Sequence, residues 1–161
     1  IIVVVGFIAL LMIFSGSKGK SGRGSKQKSR QVIIKEATRK LSQNPHNPDG
    51  LIPLANLYFQ EQLWEKAYPL YETMLNIAVA HSELNLGQAS LRQGICALKV
   101  GKTEDAFKGL LQARKINPDS FETNFYLGQA FINNKEFDKA IPLLRKALTV
   151  NKEVPEIYKR R

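Results

Sequence analysis

Two histidines, one cysteine and fourteen carboxylates are the residues of this 161-residue chain whose types could do chemistry, and their spacing gives them little to do. His46 and His81 are far apart and no Glu stands at the spacing of a zinc-binding helix, so the sequence offers no hydrolytic metal centre. Cys96 sits in an apolar stretch as a small hydrophobe, and a single cysteine makes neither an internal disulfide nor a cysteine-based zinc site. Glu104, Asp105, Glu136 and Asp138 stand at the expected starts of helices, where carboxylates suit the positive end of the helix dipole and stay solvated. Gly19-Lys20-Ser21 has the ending of a phosphate-binding loop, but that motif needs a glycine five residues before Gly19, where Phe14 stands. The chain reads as a non-enzyme without catalytic residues, metal or cofactor.

What remains is non-covalent binding, and the positive charge is the first place to look for it. Lys18, Lys20, Arg23, Lys26, Lys28 and Arg30 lie in a segment, 15–30, built only of Gly, Ser, Lys, Arg and Gln. All the acidic residues follow Arg30, so this segment supplies most of the net charge of +10. Ahead of it, Ile1 to Phe14 is apolar apart from Gly6. Fourteen helical residues span only about 21 Å, short of the roughly 20 residues a bilayer requires, so 1–14 is expected to be a transmembrane helix cut short at its N-terminal side. Basic residues flanking such a helix stay on the cytoplasmic side, which predicts a flexible basic linker at anionic headgroups and a cytoplasmic remainder. Nucleic acid is disfavoured as the partner, because no aromatic residue interleaves the charges to stack on bases.

The elements that must carry any other site are set by a repeat. Overall composition, 43% hydrophobic and 24% charged, is that of a globular chain. Gly94 and Gly128, Ala106 and Ala140, Leu110 and Leu144, and Ala113 and Ala147 each recur at a spacing of 34 residues. This pattern resembles the tetratricopeptide repeat (TPR), a helix-turn-helix unit. The units fall at 48–86, 87–120 and 121–154. In the first, Leu54, Ala55, Tyr58, Ala67, Tyr71 and Met74 keep the register, with five extra residues around Ser82 to Leu86 that lengthen the second helix, the following loop, or both. Pro69 and Pro142 occupy one register position, near the first turn of a second helix where missing N–H groups are harmless. Apolar residues at Val32, Ile33, Ile34, Ala37 and Leu41 predict a capping helix or degenerate half repeat over 31–47, and 155–161 reads as the start of a further helix. The fold class is therefore an all-α TPR solenoid preceded by an N-terminal transmembrane helix and a basic linker.

Resemblance to the TPR family implies that protein partners bind a groove lined by the first helices. Carried onto this sequence, the groove residues are Asn56, Phe59, Leu91, Arg92, Ile95, Leu98, Lys99, Phe125 and Gln129, facing an amphipathic helix or an extended segment. Only Asn56 matches the clamp with which some members hold a peptide's terminal carboxylate, so that class of ligand is disfavoured. The order anchor, linker, repeats is similar to bacterial inner-membrane assembly proteins and flagellar-motor collar TPR proteins, and mitochondrial and peroxisomal members share it. The implied function is a membrane-anchored adaptor or scaffold in a larger assembly, with the bacterial inner membrane as its location. The alternative is a regulatory or recruitment module of a membrane enzyme whose catalytic part lies elsewhere.

Overall fold

The computed structural model describes residues 21–150, which form seven α-helices and no strand among the described residues. They are α1 (Ser21–Gln43), α2 (Pro48–Gln60), α3 (Trp64–Ile77), α4 (Leu86–Lys99), α5 (Thr103–Ile116), α6 (Phe121–Asn133) and α7 (Phe137–Val150). Helices α2–α3, α4–α5 and α6–α7 are three successive hairpins of the TPR type, stacked one on the next, and α1 packs on α2.

Each first helix starts on a side-chain cap. Asn47 accepts from the Asp49 amide at 2.9 Å, Asn85 from the Gln88 amide at 2.9 Å, and Ser120 from the Thr123 amide at 3.2 Å, satisfying N–H groups that a helix start leaves unpaired. Each hairpin then closes by one turn. Gln62, Gly101 and Lys135 hold the left-handed position, with φ of 58°, 80° and 63°, and the next amide reaches back to close the helix: Leu63 to Tyr58, Lys102 to Ala97, Glu136 to Phe131. Only one of the three is glycine.

The recurring glycines mark close helix crossings. A Cβ on Gly94 would lie 2.7 Å from Cγ of Leu110, and one on Gly128 2.7 Å from Cδ2 of Leu144, so the residues that recur at 34 make one contact twice, between the two helices of each hairpin. Gly50 meets Leu41 of α1 in the same way, at 2.8 Å. Gly109, outside the repeat pattern, is tighter still: its Cβ would fall 2.1 Å from Oε1 of Gln93 and 2.9 Å from the Gly94 nitrogen. Around these crossings Ala55, Ala67, Ala97, Ala106, Ala113, Ala140 and Ala147 are buried.

Several expectations change. The five extra residues lengthen only the loop, because α3 and α5 have the same length, and Leu84 at 5% exposure pins that loop to the core. Pro69 and Pro142 are the sixth residues of α3 and α7, past the first turn; both are exposed, so the carbonyl that each deprives of a partner can meet solvent. The basic segment is not flexible throughout: α1 begins at Ser21, ten residues before the expected capping helix, and Arg30 is bound to Glu61 of the first hairpin at 2.7 Å. Among the described residues no helix is long and apolar enough to cross a membrane. The expected transmembrane helix 1–14, the start of the linker with Lys18 and Lys20, and 155–161 lie outside the described residues.

Candidate protein-binding groove

Side chains of α2 and α4 meet around one polar cluster in an apolar surround. Asn56 Oδ1 accepts from the Tyr71 hydroxyl at 2.9 Å and from Nη1 of Arg92, which also donates to the Tyr71 hydroxyl at 3.3 Å. The guanidinium lies 5.2 Å from the centre of the Phe59 ring. Phe59 in turn makes edge contacts with Trp64 at 5.2 Å and Tyr71 at 6.0 Å. Tyr71 comes from the second helix α3, so the first hairpin closes beneath Arg92 and fixes its direction. Burial pushes the Tyr71 hydroxyl up to about 12, with Arg92 opposing, so it remains the hydrogen-bond donor at neutral pH.

The expected groove residues separate into four groups. Asn56, Phe59, Arg92, Leu91 and Leu98 come together, all half-buried, with Leu91, Leu98, Phe59 and Trp64 packed over the cluster of Ile95, Leu110, Leu127, Ala130 and Leu143. Ile95 is a correction: at 4% exposure it belongs to that core, because α4 turns it between α5 and α6 rather than into the groove. Phe125 and Gln129 sit on α6, where Phe125 stacks on Phe121 at 5.7 Å and meets the edge of Tyr126 at 5.3 Å. Lys99 is exposed and lines a cleft of about 290 Å³ at the hairpin ends with Gln62, Leu63, Trp64, Glu65, Lys66 and Val100.

Tyr71 and Trp64 are the residues that pattern reading missed as parts of this site. Tyr71 stands in the register column of Leu110 and Leu144, so it reads as packing; the hydroxyl in an otherwise apolar column was the available signal. Trp64 aligns with Thr103 and Phe137, a column with no consistent type. Asp105 is more than a solvated helix start, since it accepts from the Tyr68 hydroxyl at 2.8 Å. His81 faces Glu83 at 2.9 Å on the inserted loop. No group of three or more His, Cys, Asp or Glu among the described residues is placed to hold a metal ion.

The stack of paired helices has solved counterparts. A crystal structure of MamA superposes with a TM-score of 0.68 at 19% identity, over 84% of this chain and 73% of that one. This chain shares its fold with MamA. MamA from residue 41 to its end, from Desulfovibrio magneticus, gives 0.65 at 13% identity over 81% and 71% of the two chains. A further MamA structure, designated AMB-1, gives 0.64 at 18% over 87% and 72%. No protein-family model matches the sequence, and no curated protein matches it either.

Proposed function

We propose that this chain is a protein-interaction scaffold whose first-helix groove takes an apolar helix or extended segment of a partner, and that it works within a larger membrane-associated assembly. One observation carries the reading: Arg92 is held by Asn56 and Tyr71 over the Phe59 ring, between the half-buried side chains of Leu91 and Leu98. Such a site offers desolvated aromatic and aliphatic area together with an oriented cation whose remaining N–H groups can meet a carbonyl or carboxylate, the combination from which binding hot spots are made. The shared fold with MamA supports the architecture on which the reading depends, since stacked hairpins present extended surfaces to partners. Tethering through 1–14 on the cytoplasmic face of a bacterial inner membrane completes the proposal.

A photoreactive residue at Leu98 tests it in native membranes. It should crosslink to a discrete partner, whereas one at the exposed Lys108 on α5 should not. Arg92→Ala and Phe59→Ala should each weaken that partner's binding by about 1 to 3 kcal/mol. If both variants keep the partner and it is lost only when the six basic residues from Lys18 to Arg30 become Gln, the groove is not the site.

A further inference from the structure

The basic residues of α1 divide between two faces. Toward the first hairpin, Arg30 pairs with Glu61 at 2.7 Å and Lys40 with Asp49 at 3.2 Å, beside the buried Ala37 and the half-buried Leu41. Away from it stand Lys28, Val32, Lys35 and Arg39, all exposed, at helical spacings of four, three and four residues that bring them into one row. Val32 is 60% exposed, an aliphatic side chain with nothing over it in the middle of that row. Glu36, at the edge of the face, is the one acid of the helix and pairs with Arg39 at 2.7 Å; Lys28 and Lys35 have no carboxylate partner among the described residues.

We propose that this outer face of α1 is a membrane-surface site, with Lys28, Lys35 and Arg39 meeting anionic lipid headgroups and Val32 entering the interface between them. Arg30 and Lys40 are matched by carboxylates of the first hairpin, whereas Lys28 and Lys35 on the outer face have no such match and can meet an external anion. A row about 16 Å long can lie along a charged plane, and basic residues close to an anionic leaflet are drawn to its headgroups. The helix contains no aromatic residue on which a base could stack, which favours lipid over single-stranded nucleic acid. The row also continues, in folded structure, the basic sequence that follows the apolar Ile1 to Phe14. It replaces part of the contact expected from sequence: Arg30 turns inward, while Lys35 and Arg39 join the surface.

The test uses the full chain reconstituted into vesicles, with a fluorophore on Val32→Cys. The native Cys96 is buried and does not compete for the label. A nitroxide on the lipid headgroups should quench the probe strongly in vesicles with about one-third anionic lipid, and at least threefold less in neutral vesicles or at 1 M salt. Converting Lys28, Lys35 and Arg39 together to Gln should abolish the difference while leaving the melting curve unchanged, since all three are exposed. A second label on Lys108→Cys should stay unquenched in every arm. The proposal fails if the Val32→Cys probe is quenched no more than the Lys108→Cys probe, or equally in neutral and anionic vesicles. It fails also if the three residues govern binding of a short single-stranded oligonucleotide and leave lipid quenching unaffected, which would assign the face to nucleic acid.

Discussion

With no exposed area and a thiol pushed up to about 12 by burial, Cys96 should be inert in the native protein. A disulfide reagent at pH 8 should leave it unmodified over hours and titrate it fully in guanidinium; rapid native labelling would place it outside the core. The same burial gives the fold an alkaline edge. Tyr71 and Cys96 are both neutral when buried, and their folded values lie above the ordinary ones of 10.0 and 9.0. An acid whose folded value is raised lends stability that is complete below its unfolded value and is lost as the pH climbs through its folded value. Stability should therefore be level from pH 7 to about 9 and fall between about 9 and 12, by on the order of 5 kcal/mol for the two groups together, read as a falling melting temperature. Tyr71→Phe combined with Cys96→Ala should reduce that fall, leaving the part due to Tyr68, whose hydroxyl is also raised by burial and by Asp105; an undiminished fall in the double variant would assign it to other groups.

At the scale of the helix pair, glycine carries the specificity of packing. A methyl group on Gly109 would run into the Gly94 nitrogen and the Ser90 carbonyl, both at 2.9 Å, and backbone cannot move aside as a leucine end can. Gly109→Ala should then destabilise the protein by about 1 to 3 kcal/mol in denaturant unfolding, more than Gly128→Ala, whose added carbon comes closer than 3 Å only to side-chain carbons of Leu144, at 2.7 and 2.8 Å. The reverse order would mean that α4 and α5 do not approach as closely as α6 and α7. The turns offer the opposite effect. Lys135 holds a φ of 63° that glycine adopts freely, so Lys135→Gly should be neutral or stabilising by up to about 1 kcal/mol, whereas Gly101→Ala should cost about 1 kcal/mol. Proline or alanine scanning elsewhere in the turns cannot substitute for this pair, because among the described residues only Gln62, Gly101 and Lys135 carry the left-handed backbone.

For the whole molecule, the question is whether three hairpins unfold as one. Phe59, Trp64 and Leu98 pack against both hydrophobic clusters, one centred on the first hairpin and one running from α4 to α7, so the clusters share part of their surface. A solenoid coupled in this way should melt cooperatively. Trp64, the single tryptophan, reports on the first hairpin, and helical circular dichroism reports on all of them. Their transitions should coincide, and Leu110→Ala in the second hairpin should shift both together by about 2 to 5 kcal/mol. If the fluorescence transition stays put while the dichroism moves, the first hairpin is an independent unit.

The sequence determined the hairpin count, the register and the small residues at the crossings, because a 34-residue period can be kept only where the same close contact is made each time: Gly94 on Leu110, then Gly128 on Leu144. Unlike pairs left no such trace. Gly109 against Gln93 and Gly94, and Arg30 against Glu61, are each made once; one period after Gln93 and Gly109 stand Leu127 and Leu143, so the residue types do not recur. Register alone singled out Asn56, Phe59, Arg92 and Leu98, which the structure brings into one cluster. Ile95 went to the core because helix rotation, decided by how α5 and α6 pack on α4, turned one position on that face inward. Tertiary packing also set the state of the basic segment: its composition resembles a linker, yet Ala37 and Leu41 docking on α2 and the Arg30–Glu61 pair hold α1 as a helix that turns Lys28, Lys35 and Arg39 away from the solenoid.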